Sequence, residues 1–516
     1  MSLISLPFFL FFLITTFVYY VLPQKLQWVW LLFVSAYFYY SNATYAQDFL
    51  FIAFLLINWS VSLLFSKRKE HKKRIYVFLL IFDILFLAVF KYSEFFLNVL
   101  LKFVHIFDSE ASLETFHFIS QTLISYCPPR ISYFALIVIG YVTDVYWEKT
   151  PVQRNFGKMA LFSGFFPQMT SGPIVTYDQM ENELFGEKKH FSYDNFVSGM
   201  ERVLWGIFKK IVIAERLAVV VNTIYGSYEV YPGFYVLVAA ALFAMQLYCD
   251  FSGLMDIVLG YSKCLSISLP ENFDTPFYSL NLSEFWRRWH ITLGAFLRDY
   301  VMYPIQRSDS FRKLRKKCKE KFGKGYEKKF NLPLYFSLLI SWFLIGLWHG
   351  GGFNYIFGVG LYMWFVIVLG ELCAPFFAWI VRVLHINTEC DSYRLFLRIR
   401  TFLFFIFGLS FFRANSLGDG LLMWKNAFSS FNPWIFFDHS LLELGLSHSE
   451  WNIVILGLVL LFIVSYISSK QDISKWIASQ NFIFKVLVFA VLFIMVICFG
   501  YYGMNFNAAD FIYGRF

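Results

Sequence analysis

Apolar runs close to the thickness of a bilayer recur along the whole chain, and they leave few folds open to it. A helix needs about 20 apolar residues to cross the hydrocarbon layer. About eleven stretches approach that length: Leu3 to Val21, Val29 to Tyr40, Phe49 to Phe65, Ile75 to Phe90, Ile131 to Tyr146 and Phe234 to Leu259, then Leu332 to Leu347, Phe353 to Leu369, Phe402 to Phe412, Asn452 to Ile467 and Phe482 to Tyr501. The shorter ones suit tilted, re-entrant or end-extended helices. Of 516 residues, 58% are hydrophobic and only 15% charged, where a soluble domain carries about 25% charged residues. The sequence therefore predicts an all-α polytopic membrane protein, organised as a single integral-membrane domain over residues 1–516. The first run has no basic residue before it and no small-residue cleavage pattern after it, so it reads as a retained helix. Seven cysteines without close pairing signal neither a disulfide framework nor a metal site, and apolar packing accounts for them.

Charge is concentrated in two places. Arg307 to Lys329 holds eleven Lys/Arg against three Asp/Glu, and Lys67 to Arg74 holds six basic residues and one acid. Nucleic-acid binding can produce such runs, but between hydrophobic spans they mark cytoplasmic loops facing anionic lipid. With Lys67 to Arg74 inside, three spans precede it and the N-terminus lies outside. Lys25 then falls inside, the acidic stretch Asp108 to Glu114 outside, and Lys149, Arg154 and Lys158 inside, each in accord with the positive-inside rule. From Gly157 onward, prolines at 167, 173, 270, 276 and 304 interrupt the apolar stretches. Irregular backbone at membrane depth survives only inside protein or beside a water-filled cavity, so the middle of the chain reads as a re-entrant core. Val203 to Ile224 is apolar but carries Lys209, Lys210, Glu215 and Arg216, and is expected to lie at the membrane interface.

Nine histidines are present, and seven sit in charged or amphipathic segments where solvation explains them. The other two are His349 and His290. No Asp, Glu, Lys or Arg occurs between Lys329 and Glu371, so His349 is the one side chain of "ISWFLIGLWHGGGFNYIFGVGLYMW" that ordinarily titrates near neutral pH. An ionisable group at that depth is expensive and marks a functional site by default. Gly350, Gly351 and Gly352 follow it, a backbone either loosened or closely packed. His290 lies in "SLNLSEFWRRWHITLGAFLRDYVMYPI", Ser279 to Ile305. Read as one continuous helix beginning near Ser283 and Glu284, this segment sets Phe285, Trp289 and Leu293 in a stripe with His290 beside it. Arg287 and Arg288 then point elsewhere, available to phosphate or carboxylate groups. A hydrogen-bonded core histidine is the competing reading of His349, and an interfacial residue with headgroup-anchoring arginines that of His290. Imidazole suits general-base work because its unperturbed pKa is near 6.5.

Three segments occur together and in order: "FFPQMTSGPIVTYDQM" (Phe165 to Met180), the stretch from Gln246 to Ile305 that includes "YCDFSG" and "LPENFDTP", and "GLWHGGGFNYIFGVGLYMW" (Gly346 to Trp364). They resemble the membrane-bound O-acyltransferase family, particularly its bacterial branch that holds the alginate O-acetyltransferase membrane subunit. The resemblance is specific over about residues 128–369 and more diffuse on either side. It implies a ring of about eleven transmembrane helices around a central cavity, with re-entrant and interfacial helices. It implies His349 of the Trp-His-Gly motif as the catalytic residue and His290 of the Arg-Trp-His motif as a second one. Trp348, Arg287, Arg288 and Asp250 are the expected substrate-binding residues. No permanent cofactor and no metal are expected, and acetyl-coenzyme A is the implied acyl donor. The implied partners are an extracytoplasmic acyltransferase or acceptor-binding protein and membrane lipid, with no nucleic acid. The location implied is the bacterial cytoplasmic membrane.

The sequence departs from the alginate pattern where Pro304, Ile305, Gln306 and Arg307 replace Pro-Leu-Gly-Gly, and "TSGP" is similar to the teichoic-acid D-alanylation branch. The expected activity is transfer of acetyl from cytosolic acetyl-coenzyme A toward a cell-envelope polysaccharide. D-alanyl transfer to teichoic acid stands as the alternative within the family. A transporter or flippase using His349 and His290 as a proton relay and an inactive scaffold are the alternatives outside it.

Overall fold

Helix boundaries follow the capping chemistry of the sequence. In the computed structural model, which describes residues 1–104, 113–323, 325–326, 330–502 and 512, Ser5 caps Leu6–Val21 by accepting from the Phe8 N–H. Thr44 with Gln47 forms a reciprocal capping box on Tyr45–Ser62, and Ser447 with Glu450 forms another on His448–Ser468. Each satisfies amide donors that a helix start leaves open. Among the described residues the regular structure is helical, and the sole β feature is an isolated bridge between Phe273 and Trp289.

All eleven apolar runs lie on helices, but they are not all full spans. Among the described residues seven helices are long and apolar enough to cross a membrane, and a pair bent by 73°, Lys69–Phe90 with Ser93–Leu101, makes an eighth if counted as one. Leu6–Val21 and Ile131–Tyr146 are shorter apolar helices. The acidic stretch Asp108 to Glu114 falls mainly outside the described residues, as do Lys324 and 327–329 of the basic loop.

The chain packs as two units. The first is built mainly of Met1–Ile207 and Leu254–Pro270, the second of Phe208–Gly253 and Glu271–Phe506. In the first unit an aromatic cluster fills the core, with Phe8 and Phe12 at 5.1 and 4.4 Å from the Tyr261 ring. Beside it runs an irregular segment that is buried throughout, Phe165 to Val175. Its polar groups are met internally: Phe166 N–H donates to Ser35 Oγ, and Gln168 Nε2 donates to the Pro173 carbonyl. Buried non-helical backbone of this kind is what the proline-interrupted middle of the chain required.

In the second unit, helices Leu332–Gly350 and Asn354–Val383 form a tight hairpin. A Cβ on Gly360 would stand 2.4 Å from the Trp342 carbonyl oxygen, and one on Gly346 would stand 2.7 Å from that of Tyr355. Small residues let the two backbones touch, the usual solution where lipid gives no hydrophobic drive for helix association. The Trp364 indole donates to the Tyr335 carbonyl, so the two helices run antiparallel. Asn354 Nδ2 donates to the Phe411 and Ala414 carbonyls, tying the turn of this hairpin to the end of Asp391–Arg413.

The segment expected at the membrane interface is instead interior. Phe208–Ala214 forms a π-helical stretch whose residues are all buried, with Lys209 and Lys210 only 3% and 2% exposed. Lys210 Nζ stands 2.6 Å from both Glu215 and Asp250, and Lys209 Nζ donates to Ser252 Oγ at 2.8 Å. The cations turn inward because helix Phe234–Cys264 offers a buried carboxylate and hydroxyl to receive them. Intramembrane charges take this arrangement when they face protein and not lipid.

Candidate active site

His290 does not sit on a continuous helix. Asn281 caps Leu282–Arg288 by accepting from Glu284 N–H, so the helix starts slightly before the expected Ser283. It ends at Arg288. Trp289 is extended and His290 adopts φ 48°, ψ 53°, the left-handed region. Helix then resumes as Ile291–Leu297. The break is held by the loop before it: Phe273 bridges Trp289, Asp274 N–H donates to the Arg288 carbonyl, and Ile291 N–H donates to the Asn272 carbonyl. A left-handed non-glycine costs roughly 1–2 kcal/mol. Such strain persists where surrounding structure over-determines it, commonly at functional sites.

Asn272 is the organiser of this turn. Its Oδ1 accepts from both the N–H and the hydroxyl of Thr292 at 2.9 Å and lies 3.3 Å from His290 Nδ1. A backbone N–H can only donate, so the atom facing it is the amide oxygen, which only accepts. The His290 contact is then made by a proton on Nδ1, and in the neutral ring Nε2 carries the lone pair. Phe251 closes the other side with its ring edge-on at 4.8 Å.

His349 occupies the last turn of Leu332–Gly350. Gly351, at φ 72°, caps that helix by donating to the Leu347 carbonyl. The glycines after His349 are closely packed: a Cβ on Gly350 would come 2.7 Å from the Tyr355 ring, and one on Gly352 2.4 Å from Asn354 Oδ1. Phe412 meets the His349 ring at 5.2 Å and Trp348 meets it at 4.9 Å, both edge-on. The same Trp348 ring lies 5.7 Å from His290. One indole thus contacts both imidazoles, which are each 4% exposed.

The remaining expected residues disperse. Asp250 precedes Phe251 on one helix, and consecutive helical residues diverge by about 100°. The Phe251 ring meets His290 while the Asp250 carboxylate meets Lys210. Arg287 is exposed. Arg288 pairs with Glu284 at 2.9 Å and donates to Thr275 Oγ1, facing away from the imidazoles. In the sequence "LPENFDTP" reads only as a motif. Its chemical content, the Asn272 acceptor, lies in a contact across 18 residues that no local periodicity exposes.

A helical chain with several membrane-length helices and two buried imidazoles around one aromatic ring describes a multi-pass membrane protein with an interior site. The model of the membrane-bound O-acyltransferase family matches residues 34–318, and the chain belongs to that family as an acyltransferase. The matched stretch takes in Asn272 and His290 and ends before His349. Among its relatives, the "Probable alginate O-acetylase AlgI" of Pseudomonas putida is 31% identical over 83% of this chain and 79% of its own. The "Peptidoglycan O-acetyltransferase" of Helicobacter pylori is 30% identical over 64% of this chain and 61% of its own. A "Teichoic acid D-alanyltransferase" of Bacillus subtilis is 30% identical over 42% of this chain and 50% of its own.

Proposed function

We propose that this acyltransferase moves acetyl from cytosolic acetyl-coenzyme A toward the O-acetylation of an extracytoplasmic polysaccharide, handing it on through an extracytoplasmic partner protein in the bacterial cytoplasmic membrane. The observation that carries the reading is the pair of buried imidazoles flanking Trp348. The names of the alginate and peptidoglycan relatives support acetyl as the group and an envelope glycan as its destination.

In this mechanism His349 takes the proton of the attacking hydroxyl as its oxygen bonds to the thioester carbonyl carbon. The C–S bond then breaks, and the thiolate leaves and is protonated to the free thiol. His349 acting first as the acyl-accepting nucleophile gives the same products by two transfers. His290, its Nδ1 turned to Asn272, presents Nε2 as the second proton-handling nitrogen. Trp348 forms the wall between the two rings and positions the reacting groups. Arg287 and Arg288 serve the donor side, and Asp250 acts through the Lys210 it holds.

The test uses purified protein in liposomes, with and without the partner, supplied with acyl-labelled coenzyme A. Label leaving the thiol, with free thiol appearing, supports acyl transfer. Label crossing the bilayer still attached to the thiol identifies a transporter. Neither event, with function in cells surviving loss of both histidines, identifies a scaffold. The Bacillus subtilis relative supports a second reading with D-alanyl as the group, and a D-alanyl thioester in the same assay separates the two.

A further inference from the structure

One side-chain cluster in the second unit lies apart from the two imidazoles around Trp348. A cavity of about 350 Å³ opens beside the start of helix Asp391–Arg413 and the end of His448–Ser468, with Arg288, Arg394, Arg398 and Lys470 in its wall and Glu284 as the only acid lining it. Glu284 is already committed to Arg288 at 2.9 Å. Arg394, Arg398 and Lys470 have no carboxylate within ion-pair range among the described residues. The cluster is also built in place. Arg398 donates through Nε to the Tyr278 carbonyl and lies 5.3 Å from the Tyr278 ring centroid, and Lys470 lies 5.9 Å from that of Tyr466. Four cations converging on a concave site with one neutralising acid repel one another unless an anion joins them. The volume is that of a small-molecule site.

Its position gives the anion an approach and a destination. The basic stretch Arg307 to Lys329 leads directly into Leu332–Gly350, which runs antiparallel to Asn354–Val383. The start of Leu332–Gly350 and the end of Asn354–Val383 therefore share a side with the start of the next helix, Asp391–Arg413, where the cavity opens. By the positive-inside rule that side is cytoplasmic. On the inward side, Arg288 is two residues from His290 on the same chain. A narrow apolar slit, with room for about one water, continues from Tyr278 past Phe277 to Tyr248. The Tyr248 ring stands 5.9 Å from Trp289.

We infer that this basin is a binding site for a phosphate-bearing anion. Guanidinium groups match phosphate oxygens in paired geometry, and lysine adds a mobile point charge. Two sources carry that chemistry on this face of the membrane: the phosphate end of a coenzyme A thioester, whose slender arm would open the slit toward His290, and a phospholipid headgroup. The first source rests on the donor reading above; the anion site itself does not.

The test is binding to the purified full chain in neutral detergent, with coenzyme A, phosphate-free pantetheine and phosphatidylglycerol as probes. The variants are Arg394→Gln and Lys470→Gln, both at exposed positions, with Arg398→Lys as the charge-preserving control. For the donor source, coenzyme A binding weakens with salt and falls about tenfold in each Gln variant. Arg398→Lys retains most of the binding, and pantetheine is indifferent to all three changes. If coenzyme A binding is unmoved but co-purifying phosphatidylglycerol, read by native mass spectrometry, is lost from the Gln variants, the occupant is lipid. If neither probe responds, the inference is overturned. Failure of the acyl-transfer reading looks different: the basin still binds coenzyme A, but no thiol is released from a labelled thioester.

Discussion

His349→Gln keeps a hydrogen-bonding side chain in the aromatic enclosure of Trp348 and Phe412, but its amide neither accepts a proton near neutral pH nor attacks a thioester. Base catalysis contributes about 10²- to 10⁴-fold, so acylation of the external acceptor should fall by that range while donor affinity on the purified protein holds. Acylation within about threefold of wild type at matched membrane abundance would make His349 a packing residue. Asn272→Ala belongs to the same scale but acts differently. It leaves the buried N–H and hydroxyl of Thr292 without the acceptor they share, at roughly 1–3 kcal/mol for each unsatisfied group. It also frees the His290 ring to rotate. A lower melting temperature in detergent and turnover reduced by up to about 10²-fold are expected, with Thr292→Val milder on both measures because the backbone donor keeps its partner. Equal effects from the two variants would remove Asn272 from its positioning role. The histidine was legible in the sequence and the asparagine was not. His349 stands alone in about forty uncharged residues, a contrast that any hydropathy reading registers. Asn272 is one polar residue in a proline-flanked loop, and its partners are defined only once the chain folds back.

Among the elements, the helices were readable from hydropathy because apolar length and capping residues are local. The breaks in them were not. Ser279 to Ile305 has the periodicity of one amphipathic helix, yet Trp289 leaves it to pair with Phe273, and a tertiary backbone contact outweighs the local helical preference. The inward packing of the π-helical Phe208–Ala214 is hidden for a similar reason: two lysines look like a solvated face until the carboxylates and the Ser252 hydroxyl that receive them are located. That arrangement makes a prediction. Lys210→Met removes the cation that Asp250, 1% exposed, shares with Glu215. Removing one partner of a buried pair costs about 3–5 kcal/mol. The variant should insert but denature at clearly lower temperature, and Lys210→Met with Asp250→Asn should recover part of the loss, since the uncompensated charge is then gone. A single variant as stable as wild type would show that water, and not Lys210, solvates Asp250.

At the scale of the whole chain, the question is direction. In the second unit the membrane-length helices alternate, so the links near Arg382, Arg394, Arg398, Lys470 and Lys475 fall on one side with the basic stretch Arg307 to Lys329. The opposite link, from Ala414 to Ser447, holds Lys425, with Arg413 at its border, against Asp419, Asp438 and Glu443. By the positive-inside rule an imbalance of that kind reads the first side as cytoplasmic. It is the side on which the basic cavity opens and on which a coenzyme A thioester would be found. An enzyme built this way should be unable to use donor from the other face, because a polyanion cannot cross the hydrocarbon layer to reach Arg394 and Arg398. In sealed proteoliposomes of single orientation, established by protease access to Arg307 to Lys329, thiol release should occur only when the acetyl thioester is on the side of that stretch. Leaky vesicles should lose the distinction. Equal thiol release from either side of sealed vesicles would mean that the donor enters by another path, and the transfer from inside to outside would have to be abandoned even if His349 remained the reacting residue.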